Sequence, residues 1–506
     1  MLHTTELRAA APEGGSWLSD DPNYQNCIEK LLSSDPRLLH RDPPNMQRHI
    51  PWPPPHTRVS LFEAQSDDRQ FWKQERLIDA ALLREVLRKP GSGAADGRRI
   101  IILEGQAPAF IDALGTHFGI HPGLWVDHER RWTEELPSAM QENVSMKYFE
   151  LIYLPPEMRK FHVCCSESGR SISATRVLGE FMDTGILHRK CTVWRRQRSG
   201  GKGWDCVIIT DPPLRSVFPS YDSCEPIEIH SHSRPPRGGY ADFVPRQHQV
   251  KVGSGPPRTC MLDDICFYLT RHPDLFGPDN GHDNPLRLCQ KLVASHYSKQ
   301  AGFLLSLVSY VQSSMTRQDK LDNFSAAVVE KQWSDMQSYE RRVSIYCHEL
   351  ESIMRLGRIP LAPPESSRGG ENWLDVGSDF QHLQAMIRDV QHRVELLSSS
   401  VTGLAGIAGN RQAIEEQMLS RREAMSMKAL TIVGLVFLPL SFAASLFGMS
   451  PPYAFGEQQF WVYFALAVPL CAVAFGIYFV FGGSWARCRW FQLQRAGSRL
   501  RGDEIC

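Results

Sequence analysis

Residues 427–461 read MKALTIVGLVFLPLSFAASLFGMSPPYAFGEQQFW. An apolar run stops at Gly448-Met449-Ser450, two prolines and a short polar loop follow, and a second apolar run begins at once. Ala429 to Phe447 is 19 residues without a charge, and Phe460 to Phe481 is 22. A bilayer core of roughly 30 Å takes about 20 helical residues, so each run is long enough to span. Core helices of soluble proteins seldom run this far uncharged. The pair reads as a two-helix transmembrane hairpin, with spans 429–447 and 460–481 and a loop at 448–459.

The flanks orient it. Arg411, Arg421, Arg422 and Lys428 precede the first span, and Arg487, Arg489, Arg495, Arg499 and Arg501 follow the second. The loop has no Lys or Arg, only Glu457. The positive-inside rule then predicts a multi-pass membrane protein with both termini in the cytosol and the loop outside. Trp461, Tyr463, Trp485 and Trp490 fall where interfacial aromatics belong. Two helices in one chain enclose no pore, so conduction would require an oligomer.

The first span carries a distinctive face. Met427, Thr431, Gly434, Leu438, Ser441, Ser445 and Gly448 follow one another at steps of 4 and 3, which makes one helical stripe. Most of them are small or hydroxylated. Such a stripe suits either close packing of membrane helices or the wall of a pore.

Upstream, Phe380, Leu383, Ile387, Val390, Val394, Leu397, Val401, Leu404 and Ala408 alternate steps of 3 and 4, a heptad seam. No proline lies between Pro364 and Pro439, so one helix from about 378 to 447 is expected to act as a stalk running directly into the first span. Gly403, Gly406 and Gly409 weaken it by about 1 kcal/mol each relative to alanine. Two further helices are expected at Asn284–Arg317 and Asn323–Leu356, joined to the stalk by the proline-rich stretch Arg358–Gly370.

The rest of the chain is polar and balanced. Its 506 residues carry 56 basic and 56 acidic side chains, and mean hydropathy is −0.30. No charge bias points to nucleic acid. The 13 cysteines include no C-x-x-C pair, so they read as reduced thiols in the cytosol rather than a disulfide or zinc framework. Residues 1–95 are rich in proline and are expected to be largely disordered, with a helix near Asp79–Leu87. In 96–275 strands are expected at Arg99–Glu104, Phe161–Cys165, Cys191–Arg196 and Trp204–Thr210, with a helix at Met261–His272 closing the region. The expected fold is an α+β (or α/β) cytosolic domain, a helical region at 276–428 that includes the stalk, the two-helix transmembrane hairpin at 429–481, and a basic cytosolic tail at 482–506.

Enzyme signatures are missing: there is no G-x-x-x-x-G-K-[ST], G-x-G-x-x-G or G-x-S-x-G. His348-Glu349 opens an H-E-x-x-H pattern, but Ser352 stands where the second histidine is needed. His230-Ser231-His232 reads as a polar loop before Pro235-Pro236. Cys488, between two arginines at the inner face, is a candidate for palmitoylation. Asn143 and Asn323 fit the glycosylation pattern, but this orientation keeps both in the cytosol.

The C-terminal motifs resemble a known family. Met427-Lys428-Ala429-Leu430-Thr431-Ile432, then Phe437-Leu438-Pro439-Leu440, then Phe447-Gly448-Met449-Ser450 and a loop with Glu457 are similar to CorA-type divalent-cation transporters, in particular the divergent fungal branch. Ile102–His128 and Cys191–Pro213 look like parts of the cytosolic domains of that branch. The resemblance implies a homopentamer in the lipid bilayer, with the first span lining an ion channel for Mg²⁺ or another divalent cation and no cofactor beyond that ion. It assigns Met427, Leu430, Gly434, Leu438, Ser441, Ser445 and Gly448 to the pore, and Gly448, Met449, Ser450 and Glu457 to its selective mouth. Asp389, Glu415 and Glu416 become candidates for sensing cytosolic metal. Plasma membrane or vacuole fits better than mitochondrion, since no Arg-rich amphipathic leader is present.

The family keeps asparagine where this chain has Ser450. Mg²⁺ gives up water reluctantly, so a selective mouth holds the hydrated ion through hydrogen-bond acceptors. A serine hydroxyl accepts too, but from a shorter arm, so the ring would be wider. Three outcomes stay open: loose selection of hydrated divalent cations, altered selectivity, or no conduction in a membrane-anchored sensor or scaffold.

Overall fold

The structure is a computed structural model that describes residues 16–33, 35–39, 41, 52, 57–64, 73–77, 79–89, 96–129, 143–154, 163–174, 184–219, 225–229, 260–271, 283–317, 326–361, 376–447 and 461–478. It divides into two compact units, Met1–Gly403 and Leu404–Cys506.

The first unit is an α/β domain built on a 10-stranded sheet. Its strands are β1 (Arg58–Ala64), β2 (Lys73–Leu77), β3 (Arg98–Glu104), β4 (Asn143–Tyr153), β5 (Val163–Cys165), β6 (Ser171–Ala174), β7 (Thr184–Gln197), β8 (Trp204–Thr210), β9 (Ser216–Phe218) and β10 (Ile227–Glu228). The order is β10-β9-β5-β6-β7-β8-β3-β1-β2, with β4 also on β7. Only β3 and β8 pair in parallel; the other described pairings are antiparallel. The long β7 organises the sheet. Leu187 pairs with both Glu150 of β4 and Ile172 of β6, and Val193 with both Val144 of β4 and Ile208 of β8. Thus β4 takes one edge of β7, while β6 and β8 share the other.

Both faces of the central strands are covered, which is why β3 and β8 read as unbroken apolar runs. Ile100, Ile102, Cys206 and Ile208 face one core, and Ile101, Leu103, Val207 and Ile209 the other. The second face packs on α1 (Pro22–Leu31), α2 (Ala80–Arg88), α3 (Pro108–Phe118) and α4 (Gly123–Glu129). The first packs on α5 (Met261–Arg271), α6 (Asn284–Arg317), α7 (Ala326–Leu356) and the start of α8 (Gly377–Phe447). Along α8 the heptad seam from Phe380 to Val401 is buried in that core. The helices expected at Met261–His272, Asn284–Arg317, Asn323–Leu356 and 378–447 thus appear as α5 to α8 within a few residues.

The N-terminal region departs from expectation. Rather than lying loose, its described parts supply α1, the edge strands β1 and β2, and α2, which is the helix expected near Asp79–Leu87. Proline punctuation hid short apolar patterns, and Leu18, Tyr24, Ile28, Val59, Leu61 and Phe62 are buried. Tyr24 is the fastener. Its hydroxyl donates to the Ile120 carbonyl at 2.8 Å and accepts from Trp125 Nε1 at 2.9 Å. Its ring lies flat against Gly115, where a Cβ would collide with it.

In the second unit, α8 continues from Leu404 to Phe447 and is accompanied by α9 (Trp461–Tyr478). Both contain windows long and apolar enough to cross a membrane, with mean hydropathies of 2.1 and 1.9, and almost none of either window is buried.

Candidate functional site

The stripe of the first span can be placed by asking which face of α8 the second helix covers. Tyr463 Oη of α9 donates to the Leu440 carbonyl at 3.3 Å. Gly434, Leu435, Val436, Pro439 and Leu440 are partly covered, and Ala443 is 0% exposed. The stripe residues Met427 and Leu438 are 68% and 71% exposed, Ser441 and Ser445 are exposed as well, and so is the further pore candidate Leu430, at 74%. At about 100° per residue, Ala443 lies roughly 200° around the helix from both Ser441 and Ser445. The small and hydroxylated stripe is therefore on the far side from α9. Packing within the hairpin uses the back of α8, and among the described stripe residues only Gly434 is partly covered.

Two hydroxyls on this stripe are already oriented. Thr431 Oγ1 donates to the Met427 carbonyl at 2.8 Å, and Ser441 Oγ to the Leu438 carbonyl at 3.1 Å. With its proton spent on the helix backbone, each oxygen keeps lone pairs for an outside donor, such as water around a cation.

The line does not begin at Met427. Going back by steps of 4 and 3, it passes through Glu423, Ser420, Glu416 and Gln412, all exposed. Glu423 was missed from sequence because the pattern was followed only where the helix is apolar; the same 3.6-residue period carries it. Glu416 accepts from Gln412 Nε2 at 3.1 Å.

The three candidates for sensing metal fall in both units. Asp389 lies in the first unit and accepts from Arg393 Nε at 2.9 Å, an exposed pair one turn apart. Glu415 and Glu416 lie in the second unit. Among the described residues no group of three or more His, Cys, Asp or Glu side chains is arranged to hold a metal. Gly448, Met449, Ser450, Glu457, His230, His232, Asn323, Cys488, Trp485 and Trp490 lie outside the described residues.

Sequence reasoning also missed a buried polar centre in the first unit. Asp211, just past β8, accepts from Arg170 Nε at 3.1 Å and Nη2 at 3.2 Å, and from the Lys190 backbone N–H at 2.6 Å. Its Oδ1 is 3.3 Å from His128 Nε2. A carboxylate only accepts, so Nε2 carries the imidazole proton and Nδ1 accepts from Thr192 Oγ1 at 2.9 Å. Lys190 Nζ donates to the Asp127 carbonyl. Burial alone would raise the Asp211 carboxyl, but the Arg170 charge and the His128 contact hold it well below the usual range. Burial lowers His128 to about 4, with Arg170 and Lys190 adding to the fall and Asp211 opposing it. Burial and the neighbouring Arg170 likewise depress Lys190. The centre ties α4 to β7 and β8; its members are widely spaced in sequence, so no local motif announces it.

Comparison with known proteins bears on the C-terminal part. Residues 372–482 match the sequence model of the family described as CorA-like Mg²⁺ transporter protein. The match covers all of α8 and α9, including the C-terminal motifs that carry the resemblance. Among solved structures, the complete CorA magnesium transporter from Methanocaldococcus jannaschii aligns over 83% of this chain and 96% of its own, at 11% identity and a TM-score of 0.33. No curated protein matches the sequence.

Proposed function

We propose that this chain, CorA-like over residues 372–482, is an oligomeric membrane transporter for divalent cations, Mg²⁺ foremost, whose pore is lined by α8. The observation that carries the reading is the exposed stripe on the side of α8 away from α9. With that face free, further copies of the chain bring their stripes together around an axis while each α9 stays outside. Five copies follow the family pattern. Met427, Leu430 and Leu438 then form apolar constrictions that gate by excluding water. Gly434 leaves room between them, and Thr431, Ser441 and Ser445 offer oxygens to the hydrated ion.

Glu423 and Glu416 continue the line on the basic-flanked, cytosolic side. Repeated in each copy, their carboxylates raise the local cation concentration at the inner end of the pathway. At the outer end, Gly448, Met449, Ser450 and Glu457 form the mouth. In this reading Ser450 replaces an amide acceptor with a shorter hydroxyl, which loosens the hold on Mg²⁺ and admits other divalent cations.

Flux into liposomes carrying the purified chain tests this. Wild type is expected to move Mg²⁺ or Zn²⁺, Ser441→Trp to block it, and Ser450→Asn to sharpen preference for Mg²⁺. Silence of all three proteins, folded and oligomeric, would refute conduction. The departure at Ser450 favours a second reading, a membrane-anchored sensor or scaffold that keeps the architecture without conducting. Flux restored only by Ser450→Asn would point there.

A further inference from the structure

The back of α8 carries a second line that the transport reading leaves unused. Ile407, Ile414, Met418 and Met425 are each more than half exposed. Their spacing of 7, 4 and 7 puts them on one face, diametrically opposite Glu416 and Glu423. The same face continues through Ile432, Val436, Pro439 and Ala443. There it stops being free, because α9 covers it at Leu440 and Ala443. The uncovered apolar line is thus the extension of an interface already formed within the unit.

The path of α9 says where the next residues arrive. The chain between Phe447 and Trp461 joins the end of α8 to the start of α9, and Tyr463 meets Leu440 close to that join. So α9 runs back along α8. Fifteen residues beyond Tyr463 is Tyr478, which brings the chain to the height of Met425, the first member of the free line. From Met425 to Ile407 is roughly 27 Å at helical rise. Residues 479–506 are long enough to cover that distance whether coiled or extended. They carry large apolar side chains, Trp485, Trp490, Phe491 and Leu493.

We propose that the C-terminal segment 479–506 of the same copy is the occupant of this line, and seats its aromatic residues on Met425, Met418, Ile414 and Ile407. Seated as a helix that continues the register set by Tyr463 and Leu440, the segment would bring Arg487 and Arg489 level with Glu416 and Ile414. Arg411, Arg421 and Arg422 would then be level with Gln492, Gly482 and Phe481. The two sets of arginines therefore alternate in height rather than meet. A second copy seated by the same face would instead set Arg411, Arg421 and Arg422 against themselves, since parallel insertion in one membrane fixes them at equal height. The inference rests on the packing of α8 and α9 and does not depend on conduction.

Limited trypsin digestion of the full chain in lipid nanodiscs tests it, reading cleavage after Arg487, Arg489 and Arg495 by mass. Wild type is expected to be cut at these sites at least ten times more slowly than Ile414→Asp or Met418→Asp, while Ala413→Asp, on another face, matches wild type. Equal rates in wild type and the two stripe variants overturn the proposal. A photo-crosslinking amino acid at position 418, in a mixture of isotopically light and heavy copies, identifies the occupant. Crosslinks within one copy to peptides of 479–506 are expected. Crosslinks to a second copy, to another part of the chain or to lipid alone overturn it.

Discussion

The buried centre around Asp211 makes a quantitative claim about acid. His128 is held at about 4 in the folded state against 6.5 when released. Between these values the unfolded segment binds a proton that the folded one refuses, so stability falls as pH falls. The sign follows from linkage: more protons are bound in the unfolded state, and the loss begins near pH 6.5 and levels off below pH 4. At about 1.4 kcal/mol per pH unit, the gap amounts to about 3 kcal/mol, or about two orders of magnitude in the opening equilibrium. The assay is hydrogen exchange of the α4 and β7 amides in the full chain, corrected for intrinsic rates, from pH 7 to pH 4. His128→Gln is the comparison. Its amide can donate to Asp211 and accept from Thr192 but does not titrate in this range. Wild type is expected to lose about 3 kcal/mol of opening free energy more than the variant over this interval. Parallel slopes for the two proteins would refute the assignment of a neutral, proton-refusing imidazole at this site.

Three further outcomes follow from the same geometry. Asp211→Asn leaves the Arg170 guanidinium buried without its counter-charge and is expected to cost about 3–5 kcal/mol, read as a lowered denaturation midpoint of the first unit. Ala443→Leu overfills the contact between α8 and α9 and is expected to cost about 1–3 kcal/mol. Ser441→Leu, on the free face, leaves the yield of folded protomer unchanged, and size-exclusion profiles of the two variants check the contrast. Glu416→Gln with Glu423→Gln is expected to lower divalent flux several-fold at low ionic strength and less at high salt, because the carboxylates act by long-range attraction. Equal loss at all salt concentrations would place them in a contact role instead.

Much of this protein follows from local pattern. An uncharged run of 19 residues announces a spanning helix by length alone, whatever surrounds it. The seam from Phe380 to Val401 is legible because a helix must bury one face every 3.6 residues. The strands at Arg99–Glu104 and Trp204–Thr210 are legible because both of their faces are covered. Local pattern also marked the stripe from Met427 to Ser445 as special, but left open whether it packs or lines a path.

Tertiary structure decided what periodicity cannot. It put α9 on the Leu440 and Ala443 side of α8, which leaves the stripe free, and a helical wheel has no means of knowing which face a neighbour takes. It drew α1, β1 and β2 out of a proline-rich stretch, because short apolar patterns gain stability only when a sheet edge and α3 stand ready to bury them. And it assembled His128, Arg170, Lys190 and Asp211 from four separate places. The strength of such a centre comes from burial, which belongs to the whole fold and to no single stretch of sequence.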